Sequence, residues 1–158
     1  MSEPLERRVV LGFLTVRRTT SGGLRGGYLL TSEYGRPLEF HYTTELRIAG
    51  PQRVLYGGAA PECLYVEAFG LPLLARQTLA PQLLLTDAPT LLDVRPRIPA
   101  PMLLVQTGDI AAHRNFPDDR ALLDRMQSYV PPNFSWTEPF ERLSEALGEI
   151  RDARAAAA

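Results

Sequence analysis

Residues 26–48 read GGYLLTSEYGRPLEFHYTTELRI, and the fold prediction starts from this stretch. From position 38 onward, apolar and hydroxyl side chains alternate with charged or polar ones. A period of two indicates a β-strand with one buried and one solvated face. Turn-forming residues at 33–37 follow an apolar run at 28–31, so the stretch predicts a β-hairpin. The side chains predicted to face the core are Leu38, Phe40, Tyr42, Thr44, Leu46 and Ile48.

Three other segments are apolar without any polar alternation. They are residues 9–16, 82–86 and 102–106. Such runs are typical of strands that are covered on both faces and lie centrally in a sheet. The strand with a solvated face is therefore expected at the margin of the sheet. Residues 17–27 and 107–117 are predicted to be loops.

Helices are predicted between and after the strands. The first runs over about 61–79 and is interrupted by Gly70 and Pro72. A short helix or turn follows at 89–94, and two C-terminal helices lie within about 118–153. Ser135 and Glu138 have the spacing of a capping box, which predicts the start of the last helix, although Thr137 and Pro139 offer another start.

The burial pattern constrains the strand order. Placing the solvated strand at the edge and the apolar strands centrally gives the order 3-2-1-4-5, with strand 1 antiparallel to strand 2 and parallel to strand 4. Over roughly residues 9–107, this order and the sequence of elements resemble the ribonuclease-H-like fold. We therefore predict an α+β protein with a five-stranded mixed sheet and C-terminal helices. The alternative is a meander sheet with helices packed on one face.

Composition narrows the class of protein. The 158 residues suit a single domain spanning 1–158, with the core sheet at about 9–107. The net charge is −1, so no overall electrostatic footprint for nucleic acid is present. All 17 basic residues are arginine, which is typical of a GC-rich bacterial genome. The chain has no signal-like or membrane-spanning apolar run and a single cysteine, Cys63, so we expect a soluble cytoplasmic protein without an internal disulfide.

The resemblance to ribonuclease-H-like nucleases implies a set of metal-binding carboxylates, which can be looked for in this sequence. Such enzymes bind two divalent metal ions through carboxylates on the first strand, the first helix, the end of the fourth strand and the last helix. The matching candidates are Glu67, Asp87 and Asp119, with Mg²⁺ as the cofactor of that alternative. However, residues 9–16 contain no acid, so the first-strand ligand is missing. Asp87 has a non-catalytic interpretation as a helix cap. Further candidates are Glu62 for the helix and Asp118 or Asp124 for the late ligand.

Two other groups of residues are candidates for binding. Glu39, His41 and Glu45 share the predicted solvated face of the third strand, where they form either a ligand site or a charged face that discourages pairing of the sheet edge. Trp136, beside Phe134, either contacts a partner or anchors the last helix on the sheet. We predict no dedicated metal site or cofactor.

The first functional hypothesis is a non-catalytic interaction or assembly module of a bacterial multi-protein system, with a protein partner or a homo-oligomer. The second is the metal-dependent hydrolase or nuclease. The third is a nucleic-acid-binding module. Because the first-strand acid is absent, a non-enzymatic role is favoured. The third hypothesis depends on four arginines near the hairpin: Arg17, Arg18, Arg25 and Arg36.

Overall fold

The apolar runs form the centre of one mixed sheet. In the computed structural model, which describes residues 9–48, 50–57 and 64–150, the strand order is β3-β2-β1-β4-β5-β6. β1 is antiparallel to β2 and parallel to β4, and β4 is parallel to β5. The predicted fold class and the order 3-2-1-4-5 are confirmed. The strands are β1 (Val10–Arg18), β2 (Leu24–Ser32), β3 (Pro37–Tyr42), β4 (Leu83–Thr86), β5 (Met102–Gln106) and β6 (Asp109–Ala112).

The sixth strand was not predicted, since residues 107–117 were assigned to a loop. β6 forms a hairpin with β5 through the turn at Thr107 and Gly108, and Gly108 has φ +77°. A glycine tolerates this left-handed conformation, which allows the chain to reverse within two residues. β6 contains two alanines, which have low β-propensity, so only pairing with the buried β5 makes this segment a strand.

Helices cover both faces of the sheet. They are a π-helical segment (Tyr65–Gly70) that continues into α2 (Leu71–Ala75), a 3₁₀ helix (Pro89–Arg97), α3 (Asp119–Gln127) and α4 (Glu138–Gly148). A further short helix, α1 (Gly50–Tyr56), precedes them and contributes no residue to either core. The predicted interruption of the first long helix coincides with the change from π- to α-helix after Gly70. The Ser135 hydroxyl accepts a hydrogen bond from the Glu138 amide at 3.1 Å. The N-cap residue of α4 is Thr137, however, whose side chain makes no capping bond, and Pro139 lies in the first turn, so the helix begins at the alternative start. Pro61, Glu62 and Cys63 lie outside the described residues.

Two hydrophobic cores result, one on each face. Side chains of β1, β4 and β5 alternate between them because successive residues in a strand point to opposite faces. Leu11 and Phe13 pack under α3 and α4, whereas Val10 and Leu14 pack under the π-helix, α2 and the 3₁₀ helix. The predicted double burial of these three strands is confirmed. No helix among the described residues is long and apolar enough to span a membrane.

The glycines of the predicted loop 17–27 have a packing role. Gly26 and Gly27 lie inside β2, and helices approach them from opposite faces. A Cβ atom on Gly26 would lie 2.9 Å from the Cβ of Phe69, and one on Gly27 would lie 2.9 Å from Leu147. Gly26 and Gly27 thus belong to β2, where their lack of side chains lets the helices approach the sheet closely. The loop between β1 and β2 is therefore shorter than predicted.

Candidate functional site

β3 is the edge strand, as predicted, but its two faces are exchanged relative to the prediction. Phe40 and Tyr42, assigned to the core, are 38% and 44% exposed. The side chains of Glu39 and His41, assigned to solvent, are only 12% and 23% exposed. The sequence pattern identified the alternation correctly but not which face is covered, since α4 packs over β1 and β2 and leaves β3 open on that side. Leu38 also lies on the exposed face.

Polar contacts explain why Glu39 is covered. Its carboxylate accepts hydrogen bonds from the Thr78 amide and hydroxyl, the Leu79 amide and His41. Partial burial alone would raise the pKa of Glu39, but these hydrogen bonds outweigh that effect and lower it to about 2. Glu39 thus joins the edge strand to the segment after α2, and this is a structural contact.

His41 completes this contact rather than a metal site. Its ring stacks on Tyr28 with centroids 6.5 Å apart, and its Nε2 lies 2.8 Å from Glu39. Tyr28 is fully buried, and its hydroxyl donates to Gln77. The described residues contain no group of three His, Cys, Asp or Glu side chains arranged to hold a metal ion.

Glu45, the third residue of the predicted polar face, lies elsewhere. Regular pairing of β3 ends at Tyr42, and the chain then returns to form a single bridge between Leu46 and Leu24. The Glu45 carboxylate accepts hydrogen bonds from the Thr19 and Ser21 hydroxyls at 2.8 and 2.6 Å. These bonds, first that from Ser21, lower the pKa of Glu45 to about 2. Glu45 therefore closes the turn between β1 and β2.

Trp136 is buried in the core beside α4, with its ring 4.9 Å from that of Phe134. This burial favours the interpretation of Trp136 as an anchor of the last helix over that of a partner contact. It is 9% exposed, so it offers little surface to a partner.

The backbone of β3 has a free side. The Thr43 amide donates to the Gly26 carbonyl, so Thr43 faces β2. Because successive residues of a strand present their N–H and C=O groups to alternate sides, the groups of Phe40 and Tyr42 face away from β2. The alternation does not extend to Leu38, because the β2–β3 pairing shifts register there. No described strand pairs with this outer side. An Arg76 guanidinium covers one end by donating to the Tyr42 carbonyl at 2.8 Å.

A second region of interest lies at the carboxyl ends of β1, β4 and β5, where ligands bind in many α/β proteins. A cavity of about 670 Å³ opens there. Asp87 lies at its base, where it accepts a hydrogen bond from Thr15 at 2.6 Å and forms an ion pair with Arg17. Ala88, not Asp87, occupies the position before the 3₁₀ helix, and no side chain caps that helix. The alternative prediction of Asp87 as a helix cap is therefore wrong.

The last helix supplies the opposite wall of this cavity. Glu141, Ser144 and Glu145 line it and are spaced three and four residues apart, so they share one face of α4. We did not predict these residues, although the helical spacing in the sequence was a usable signal. Arg17 was considered only for nucleic acid, and its pairing with Asp87 depends on the parallel neighbours β1 and β4.

The proposed catalytic set is not assembled. Asp119 is buried against Arg95, with the Arg95 Nε 2.6 Å from its carboxylate, and it also accepts a bond from the Met102 amide. Glu67 is exposed on the π-helical segment, on the opposite face of the sheet from α3. Both carboxylate oxygens of Asp87 already have protein partners. The residues of this crevice, as arranged, do not fit a two-metal centre.

The four arginines also do not form one face. Arg25 is 4% exposed, and its Nε donates to the Thr43 carbonyl. Arg36 lies beyond the other end of β2, and a nine-residue strand is about 30 Å long. Arg18 is exposed at the end of β1. A shared basic surface around the hairpin is therefore absent from this arrangement.

Solved structures similar to this chain include two of Endonuclease V of Ciona intestinalis in complex with DNA that contains an inosine followed by a ribo-adenosine. The first has a TM-score of 0.46 and 13% identity, and the match covers 77% of this chain and 55% of that chain. The second has a TM-score of 0.44 and 14% identity, with coverages of 79% and 57%. This chain thus spans a little over half the length of either. No protein-family model and no curated protein matches the sequence. At these values the similarity carries no function over to this chain.

Proposed function

We propose that this protein is a non-catalytic interaction module that binds a protein partner through the outer edge of β3. The observation that carries the proposal is the coincidence of two features at Phe40 and Tyr42. Their side chains are exposed, and their backbone groups face away from β2. A partner strand added here would gain main-chain hydrogen bonds, while the apolar side chains would provide specificity.

The packing of the opposite face supports this proposal. Glu39 and His41 are held by Thr78, Leu79 and Tyr28, so the edge strand is fixed in place before a partner arrives. A preorganised strand loses less conformational entropy on binding than a mobile one does. The apolar stripe of β3 is therefore presented on a rigid element.

A second exposed apolar surface agrees with a role in assembly. Val54 and Leu55 of α1 are 80% and 85% exposed. Clustered apolar side chains on a protein surface often mark contact sites for other molecules. α1 follows β3 closely in the chain, so the region after the hairpin concentrates the exposed apolar residues.

The test is affinity purification from the native host with three versions of the protein: wild type, Phe40→Glu and Tyr129→Glu. Tyr129 is 58% exposed just after α3 and serves as the matched control. We expect F40E to lose the proteins that wild type retains and Y129E to keep them. Identical protein sets for wild type and F40E, with both variants folded by circular dichroism, would refute the proposal.

A metal-dependent hydrolase remains the second candidate because of one observation. Asp87, Glu141 and Glu145 line the same cavity at the carboxyl end of the sheet. Against it, Arg17 neutralises Asp87, and β1 supplies Thr15 where the resemblance implies an acid. Calorimetric titration with Mg²⁺ and Mn²⁺, together with cleavage assays on DNA and RNA oligonucleotides, separates the two functions. Metal-dependent cleavage that Asp87→Asn abolishes would favour the hydrolase over the interaction module.

A further inference from the structure

A cavity of about 530 Å³ opens at the amino ends of β4 and β5, at the opposite end of these strands from the cavity beside Asp87. We propose that it binds a neutral, mainly hydrocarbon small molecule that carries one carbonyl oxygen. The volume lies within the roughly 300–1,000 Å³ of small-molecule sites. This inference goes beyond the proposed function and concerns a different surface from the edge of β3.

Three parts of the chain form the walls of this cavity. Leu71 and Leu74 lie three positions apart in α2, so they share one face of that helix. Pro81 and Leu84 belong to a second wall, where the chain enters β4. Residues 98–100 form a third wall just before β5. The cavity is therefore enclosed by one helix and by the two segments that lead into neighbouring strands.

The sheet holds these walls in place. The Leu84 amide donates to the Pro101 carbonyl at 2.9 Å, so the segments that enter β4 and β5 are fixed against each other. Leu84 is only 1% exposed, whereas Ala75 and Ala80 are exposed lining residues. The cavity thus has a buried floor and small side chains at its mouth. A ligand would enter a preformed site, which keeps the entropic cost of binding low.

The lining indicates the polarity of the ligand. Of the ten lining residues, all within the described part of the chain, nine are apolar and none is charged. An ionised ligand group would lose its hydration there without gaining a counter-charge, which is unfavourable. The buried part of the ligand is therefore neutral and mainly hydrocarbon.

Gln77 is the polar lining residue, and Tyr28 sets its orientation. Tyr28 is fully buried, and its hydroxyl donates to the Gln77 Oε1 at 2.7 Å. The reversed side-chain amide would leave this buried hydroxyl proton without its acceptor, which is costly. Among the described residues, no acceptor is bonded to the Gln77 Nε2, so this group can donate to a ligand. A carbonyl oxygen is the neutral acceptor that matches it.

Methyl NMR locates the binding site. Of the four isoleucines in the sequence, all within the described residues, Ile98 lines the cavity and Ile110 packs against the other core. Titration of the protein, labelled at its isoleucine δ1 methyl groups, with benzylacetone should shift the Ile98 signal saturably and leave Ile110 unchanged. Ile98→Val identifies the signal. No saturable Ile98 shift up to the solubility limit of this ketone, or an equal shift of Ile110, would overturn the inference.

Two charged compounds of similar size test the chemical class. Hydrocinnamate replaces the methyl ketone of benzylacetone by a carboxylate, and protonated phenylpropylamine carries an ammonium group. Both should bind at least about tenfold more weakly than the ketone. Equal affinities for the three compounds would show that the cavity does not select neutral ligands, and the inference would be wrong.

Gln77→Glu tests the proposed donor without removing the acceptor of the Tyr28 hydroxyl. At mildly alkaline pH the variant offers the ligand a carboxylate oxygen in place of the Nε2 group, so the dissociation constant of benzylacetone should rise about tenfold. An unchanged dissociation constant contradicts the assignment of Gln77 as the donor.

Ala75→Phe tests whether the cavity itself is the site. It should abolish the Ile98 shift, whereas Tyr129→Glu, just after α3 on the other face of the sheet, should retain it. If A75F is unfolded by circular dichroism, Ala80→Phe takes its place. Unchanged binding of benzylacetone by the folded variant would overturn the inference. If no ketone binds but A75F loses a protein captured from the host, the cavity accepts a protein side chain and the small-molecule site is wrong.

Discussion

Asp119, a candidate metal ligand by sequence, is expected instead to be a structural residue whose removal destabilises the fold. Its carboxylate lies 2.6 Å from the Arg95 Nε and 3.3 Å from Nη2, and it accepts the Met102 amide at 3.2 Å. Asp119→Ala would leave a guanidinium that is 11% exposed without its counter-charge and a buried amide without an acceptor. Breaking a buried pair in this way costs about 3–5 kcal/mol. Arg95 also lies 3.9 Å above the Phe116 ring, which limits its ability to turn toward water.

Urea denaturation at neutral pH, followed by tryptophan fluorescence and circular dichroism, measures this loss in free energy of unfolding. Asp124→Ala is the control, because Asp124 is on the same helix but 84% exposed, 3.9 Å from Arg120. Exposed pairs of this kind contribute about 0.2–1 kcal/mol. A D119A variant whose free energy of unfolding lies within about 1 kcal/mol of wild type would refute the structural assignment of this ion pair.

Three further perturbations probe the fold. Gly26→Ala forces a Cβ to within 2.9 Å of Phe69 and should cost about 1–3 kcal/mol in urea denaturation, whereas Gly148→Ala, with open space around it, should not destabilise. The Glu39 pKa falls from 4.5 to about 2 on folding, so its stabilising effect is complete above pH 4.5 and is lost as pH falls toward 2. Glu39→Gln should therefore weaken the pH dependence of stability in that window; an unchanged slope would contradict the hydrogen bonds assigned to Glu39. Ser135→Ala removes the acceptor of the Glu138 amide just before α4 and should lower the free energy of unfolding by about 0.5–1.5 kcal/mol, whereas Ser144→Ala, inside the helix, should not lower it.

The proposed interaction with a protein partner depends on the edge strand β3. The contacts that cover Glu39 and His41 turn the apolar side of β3 outward, so the residues that looked like a core stripe are available to a partner. Exposed edges of this kind invite pairing with another chain. Pro37, the register shift beside it and the Arg76 bond to the Tyr42 carbonyl limit such pairing at the two ends of β3.

For the cavity at the carboxyl ends of β1, β4 and β5, the sequence predicted the location but not the side-chain contacts. Its location was predictable from the strand order, because β1 and β4 are parallel neighbours and Asp87 follows β4. Its chemistry was not, since the Arg17–Asp87 pair joins residues 70 positions apart. Long-range pairs of this kind leave no periodic signal in the sequence.

The strand order of the first five strands and the position of β3 at the margin could be predicted from the amino-acid sequence. Hydrophobic runs and alternation report how many faces of a strand are covered, and burial on two faces requires a central place in the sheet. Which face of β3 is covered, in contrast, depends on contacts between distant parts of the chain. An alternating strand has the same period from either side, so the outcome depended on where α4 ends its coverage and on Thr78 and Leu79 meeting Glu39. The same applies to Asp119, whose role was decided by Arg95 from a distant part of the chain.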